Sequence, residues 1–258
     1  MLSKLSQRFL VFLFLSVTIL SNAQVRPTPA AERLKGMEKR QALEKASTLN
    51  GVAFRSIGPT VMSGRVADLD VNPDDPTEFY VAYASGGVWH TTNNGLSFTP
   101  IFDSVDILTI GDIAVNWKDR TIWVGTGEVN SSRSSYAGTG MYKSSDNGKT
   151  WRHIGLPESH HIGKVQLHPT DANIAWVAVL GHLYSANKER GVYKTTDGGQ
   201  TWALMVDNNF CDPQCFYDIC IDVDPNNANR VYLGGSPVLA FGISTNAGAT
   251  SASGPSST

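Results

Sequence analysis

Apolar residues fall at every second position in four short runs, each closed by a turn-forming or bulky residue. Val66 to Asn72 stops before Pro73, Ile110 to Asn116 before Trp117, Ile162 to His168 before Pro169, and Asp218 to Asp224 before Pro225. Counting back from the residue after each run, the second and fourth positions are Val71/Leu69, Val115/Ile113, Leu167/Val165 and Val223/Ile221. Period two predicts strands with one face in a core, and these residues form that face. Turn-rich stretches follow (Asn72-Pro73-Asp74-Asp75-Pro76, Asp224-Pro225-Asn226-Asn227). A second strand comes next, such as Phe79–Tyr83 or Val231–Gly234.

A second landmark recurs in phase with the first. Ser/Thr-x-Asp/Asn-x-Gly-x-Ser/Thr-aromatic is written at Thr91–Phe98, Ser144–Trp151 and Thr195–Trp202, and decays at Ser244–Ser251, which lacks the aromatic. The acidic or amide residues are Asn93, Asp146, Asp197 and Asn246, at separations of 53, 51 and 49. In such a corner a short side chain accepts from the turn's own N–H groups while Gly takes a positive φ. The reading for Asn93, Gly95, Asp146, Gly148, Trp151, Asp197, Gly199, Trp202, Asn246 and Gly248 is therefore structural, with neither catalysis nor metal binding assigned to them. Each unit reads strand, turn, strand, loop, strand, glycine corner, strand. A repeat of about 50 residues matches a four-stranded blade, so the fold class is an all-β propeller of four-stranded antiparallel blades, about four of them over residues 51–250.

The corners at Ser144 and Thr195 resemble Asp-boxes, or BNR repeats, found in sialidases, sortilin, xyloglucan-degrading enzymes and many secreted bacterial propellers. Arg55-Ser56-Ile57-Gly58-Pro59, Ser63-Gly64-Arg65-Val66, Val124–Glu128 and His161-Ile162-Gly163-Lys164 resemble the start of bacterial sortilin-like, glycosyl-hydrolase-like propellers. The resemblance covers roughly residues 52–250. It implies the fold strongly and an activity weakly, because one scaffold hosts unrelated functions. Four units are fewer than sortilin-like propellers carry, so the chain reads as the N-terminal part of a longer propeller, with a small closed ring as the alternative.

The chain ends bear on the setting. Lys4 and Arg8 precede the apolar run Phe9–Leu20, and Ser21-Asn22-Ala23 supplies small residues, so residues 1–23 read as a signal peptide. Residues 24–50 read as a spacer, partly helical: Ala30–Ser47 is rich in helix formers but sparse in apolar positions, a solvated helix or loosely attached arm. Residues 251–258 read as a disordered tail. A secreted, periplasmic or cell-surface location follows, with no membrane span after cleavage. The 258 residues hold 24 Gly and 12 Pro, which disfavours a helical bundle, and a net charge of −2 without a basic run, which argues against nucleic acid.

A sialidase needs an arginine triad, a tyrosine nucleophile and an acid/base carboxylate gathered from more blades than are written here. In the xyloglucanase type a catalytic Asp precedes the Gly-Gly that opens a strand of the first blade. Here Ala84 stands at that place before Gly86-Gly87. In the propeller topology the corners lie below, and the starts of the inner strands lie above, with the long loops Gly127–Thr139 and Gly181–Arg190. The ligand-binding candidates on that upper face are Arg65, Glu128, Arg133, His161 and Tyr217. Neighbouring His160 and His161 would diverge on a strand, so no metal site and no cofactor are assigned. Cys211 and Cys215 would close a small loop as a disulfide in an exported protein, leaving Cys220 as a buried thiol in mid-strand. The function expected is a secreted glycan- or protein-binding module. A glycoside hydrolase pairing Glu128 with Glu158 or Asp218 is one alternative, and a structural or assembly protein of the cell envelope is the other.

Overall fold

The computed structural model describes residues 27–52, 64–130, 135–185, 188–207, 219–235 and 239–248. The segments 1–23 and 251–258 lie outside them. Strands β1 (Val66–Val71), β2 (Phe79–Tyr83), β3 (Gly87–Thr91) and β4 (Thr99–Pro100) form the first antiparallel sheet, in sequence order. The second holds β5 (Ile110–Asn116), β6 (Thr121–Thr126), β7 (Met141–Ser144) and β8 (Arg152–His153). The third holds β9 (Ile162–Leu167), β10 (Ala175–Val179), β11 (Gly191–Thr195) and β12 (Ala203–Asp207). Among the described residues the fourth has three strands, β13 (Cys220–Val223), β14 (Val231–Gly235) and β15 (Leu239–Ser244). These are propeller blades, and the apolar cores lie between neighbours: Trp176, Leu180, Ile219 and Ile221, for example, join the third to the fourth.

The four corners share one hydrogen-bond pattern. The Thr91, Ser144, Thr195 and Ser244 hydroxyls each donate to the Asx side chain two residues on, at 2.8–2.9 Å. Each also accepts the N–H of the corner glycine at 2.8–3.1 Å. Gly95, Gly148, Gly199 and Gly248 all take φ between +78° and +90°. Asp146 and Asp197 also accept from the N–H and hydroxyl of Thr150 and Thr201, which holds the Asp146 carboxyl down to about 2 and pushes Asp197 lower still.

A corner also holds the preceding blade. Trp123 and Trp176 stand in the second strand of their blades, and a lysine of the third strand covers each ring: Lys143 at 4.2 Å and Lys194 at 4.8 Å. The same lysines donate to the next blade's corner, Lys143 to Gly198 O and Lys194 to Ala247 O. In the first blade Tyr80 stacks on His90 at 4.4 Å, and its hydroxyl donates to Asn147 of the second corner. Trp151 and Trp202 complete the pattern by donating to Ile101 O and Ile154 O of the blade before, both at 2.7 Å.

The innermost strands are tied by carboxylates. Asp68 accepts the Ile113 N–H at 3.3 Å, Asp70 the Val115 N–H at 2.7 Å, and Asp112 the Val165 N–H at 2.7 Å. Each bond runs from one residue of an inner strand to the next register position of the following blade. Lys164 lies 3.0 Å from Asp112 and 3.6 Å from Asp68. Burial pushes the Asp112 carboxyl well above the usual carboxylate range, with Lys164 opposing that shift.

Two expectations need correction. Leu69 and Val71 are 50% and 40% exposed, whereas Ile113, Val115, Val165, Ile221 and Val223 are buried. The alternation is right, but this face of β1 has no blade in front of it among the described residues. Cys220 is exposed, not buried, because Ile221 and Val223 take the inward positions of β13 and leave Cys220 and Asp222 facing out. Helix α1 (Ala30–Ala46) is largely solvated but docked at its first turn. Its Ala30 N–H, unsatisfied within the helix, donates to Glu158 Oε1 at 2.8 Å, and Arg33 donates to Gly138 O and Pro157 O.

Close approach between the second and third blades depends on Gly111, where an added Cβ would lie 1.9 Å from Ile162 O and 2.6 Å from Gly127 O. Gly111→Ala should lower folding stability by about 1–3 kcal/mol through overpacking, read as a lower urea midpoint. Gly36→Ala in the exposed helix, where the new Cβ meets nothing within 4 Å, should leave the midpoint unchanged or raise it.

Candidate functional site

Three of the five predicted ligand residues converge. Arg65 immediately precedes β1, and its carbonyl accepts the Ala84 N–H at 2.9 Å, fixing the start of that strand. Glu128 follows β6 after Gly127, whose φ of +91° and lack of a side chain let the chain pass against His160 O. His161 immediately precedes β9. The Arg65 guanidinium pairs with the Glu128 carboxylate, which is fully buried, while Arg65 keeps a side-chain exposure of 46%. The His161 Nδ1 sits 2.7 Å from Glu128 O. A carbonyl only accepts, so Nδ1 carries the hydrogen and Nε2 is the acceptor of the neutral ring. Residues from three successive blades thus meet at the head of the inner strands. Arg133 and Tyr217, and the Cys211–Cys215 pair, lie outside the described residues.

The surroundings hold the loops to the blades. Gly127 N–H donates to Thr109 O at 2.8 Å, Glu128 N–H to Tyr136 O at 3.2 Å and Gly138 N–H to His160 O at 2.6 Å. Tyr136 and Tyr184, one on each long upper loop, are 60% and 71% exposed. Ala84 is buried, its carbonyl accepting the Ile110 N–H, so the position read as lacking a carboxylate belongs to the inter-strand ladder. Glu128 is shielded by Arg65, so the guanidinium, not the carboxylate, meets solvent in this arrangement.

Sequence reasoning missed a neighbouring cluster. His160 and His161 do not diverge along a strand. His160 occupies a tight turn with φ 54° and ψ −50°, across which the His161 N–H donates to Ser159 O at 2.5 Å. Such a γ-turn is rare and strained for a residue with a side chain. It turns His160 away from His161 and onto His182, with ring centroids 4.0 Å apart, and places His160 Nε2 4.0 Å from Glu158 Oε2. Two clefts flank the region. One of about 220 Å³ lies under α1 and includes Arg33, Met37, Asp106 and Tyr142, and one of about 300 Å³ includes Glu158, Glu189, Tyr193 and Trp202.

Burial is the first cause holding the imidazoles neutral, followed at His160 and His161 by the positive Arg33 and opposed at His182 by Glu189 and Glu158. His160 is lowered to about 3 and His161 to about 4, with His182 shifted in the same direction. A histidine held below its unfolded value contributes stability that is complete above about pH 6.5 and is lost as the unfolded chain takes up protons below it. In metal-free buffer the urea midpoint should therefore drop between pH 7 and pH 5. It should drop less steeply in His160→Asn, whose unfolded chain gains one proton fewer. Equal slopes would contradict a buried neutral His160.

Comparison with known proteins agrees with this architecture. A curated xyloglucanase from a Paenibacillus species is 27% identical over 197 residues, covering 71% of this chain and 17% of its own length. A probable oligoxyloglucan-reducing end-specific xyloglucanase from Neosartorya fischeri is 28% identical over 154 residues, covering 57% of this chain and 18% of its own. The chain thus spans less than a fifth of the curated relatives it matches. Among solved structures, the GH74 xyloglucanase of Xanthomonas campestris superposes with a TM-score of 0.57 at 17% identity, over 74% of this chain and 30% of that one. The GH74 enzyme of Niastella koreensis gives 0.54 at 22% identity, over 71% and 28%. At these identities the likeness is one of fold. The Sortilin-Vps10 family profile (sortilin, neurotensin receptor 3) matches residues 86–230, more than half of the chain, and the protein belongs to that family.

Proposed function

We propose that the chain is part of a secreted propeller that binds glycan, of the xyloglucan class, on the face where Arg65, Glu128 and His161 meet. The observation that carries this reading is their convergence from three blades, with an arginine partly open to solvent above a buried carboxylate. Sugar hydroxyls both donate and accept, and the partly exposed arginine fork offers donors to their oxygens, while the buried His161 holds the Glu128 backbone through its carbonyl. Tyr136 and Tyr184, exposed on the flanking loops, offer faces for stacking on pyranose rings. The named activity of the curated relatives supports the ligand class. The corners then serve as Asp-boxes, and residues 1–23 as the export signal.

Binding is favoured over hydrolysis by this segment for two reasons. Ala84 stands where the related enzymes' pattern expects an acid, and Glu128 is masked by Arg65. Hydrolysis of the usual kind needs two carboxylates facing the scissile bond.

Calorimetry with xyloglucan oligosaccharides, run beside a reducing-end assay, tests the proposal. Wild type should bind without releasing reducing ends, and Arg65→Ala should bind at least about tenfold more weakly, a loss of about 1.4 kcal/mol. Turnover abolished by Glu128→Gln would replace the binding reading with the hydrolase, and absence of binding to any glucan would reject both.

A further inference from the structure

We propose that Glu158, His160 and His182 form a binding site for a divalent transition-metal ion, Zn²⁺ in the first place. Glu158 and His160 come from the connector between the second and third blades, and His182, 22 residues after His160, from the upper loop of the third blade. Each offers one ligand atom, and the three atoms lie within 4.8 Å of one another. Two imidazoles and a carboxylate are a set that zinc takes with a further position left for water or ligand, at bond lengths of about 2.0–2.2 Å.

His160 is the fixed member. It is 7% exposed, its Nε2 is buried without a hydrogen-bond partner, and that atom points toward Glu158. A buried ring nitrogen with no partner is costly unless something occupies the space before it, and a cation would do so. The strained turn that aims the His160 ring at this spot also presents His160 O to the Gly138 N–H, so one backbone departure both anchors the upper loop and sets the ring facing Glu158 and His182. Glu158 and His182 are the adjustable members, both half-buried.

Bonds of about 2.1 Å around a tetrahedral ion set ligand atoms about 3.4 Å apart, so separations that now reach up to 4.8 Å must close by up to about 1.4 Å, within reach of side-chain rotation. The second layer suits that closure. Ser185 Oγ lies 3.2 Å from His182 Nδ1, leaving Nε2 toward the cluster, and the Ala30 N–H orients Glu158 through Oε1. The imidazoles are neutral, the form that ligates, and Glu189 supplies a second negative charge near His182. Arg33, 3.7 Å from Glu158 Oε2, competes for the carboxylate and so weakens the site relative to one whose carboxylate is free.

The site is separate from the Arg65–Glu128 pair, so it stands whether or not glycan binds there. Zinc titration of the chelator-treated full chain by calorimetry should show one equivalent bound. Co²⁺ should give visible absorption of a four- or five-coordinate site. His160→Asn, chosen because Asn tolerates positive φ, and His182→Ala should each weaken binding at least about tenfold and abolish the Co²⁺ band, with circular dichroism confirming that both variants fold. Prior alkylation of the cysteines should leave the stoichiometry unchanged. No binding, undiminished binding in both variants, or binding lost on alkylation would overturn the assignment.

Discussion

The structure depends on one recurring bond: a carboxylate on an innermost strand accepting a backbone N–H from the innermost strand of the next blade. Neighbouring blades cannot pair edge to edge as strands of one sheet do, so their inner strands leave N–H groups facing one another's side chains. An aspartate at that register satisfies the donor and fixes the axial offset between blades at once. With the offset set, the heads of β1 and β9 and the end of β6 come level, and Arg65, His161 and Glu128 are brought to one place. The third interface departs from the pattern because Lys164 stands where the aspartate would be. There it turns back to neutralise Asp112 and Asp68.

Much of this was legible in the chain because the information is local and repeated. Strand alternation at Ile113/Val115 and Ile221/Val223, and four corners of matching spelling, need no knowledge of long-range contacts. The role of the corner aromatic beyond its own sheet was less visible. Trp151 and Trp202 bond carbonyls of the blade before them, and Lys143 and Lys194 bridge an aromatic ring to the blade after. Nothing in the sequence pairs Trp123 with Lys143 or Trp176 with Lys194, because only the strand register sets each lysine opposite its ring. Leu69 and Val71 failed as core positions for a different reason: alternation reports which side chains share a face, not whether another blade covers that face.

The site was half legible. Topology alone placed Arg65, Glu128 and His161 on the same side, since each sits at a predictable end of a strand. It could not say that Arg65 would mask Glu128 and so become the exposed partner. His160 was misread because a positive-φ turn just before a strand has no sequence mark when the residue is neither Gly nor Asn. That single backbone departure separates two adjacent histidines into two environments, one bonded to Glu128 O and the other facing Glu158 and His182. The docking of α1 through Ala30 and Arg33 was equally hidden, because its partners lie more than 100 residues away.

The central claim, that inner-strand stacking brings the first blade's arginine onto the second blade's buried carboxylate, is open to a double-mutant cycle on folding stability. Arg65→Met, Glu128→Gln and the double variant should show a coupling energy of about 1–3 kcal/mol by urea denaturation, as residues in direct contact do. Additivity within about 0.5 kcal/mol would mean that the two side chains do not meet, and the arrangement of the upper face described above would be wrong.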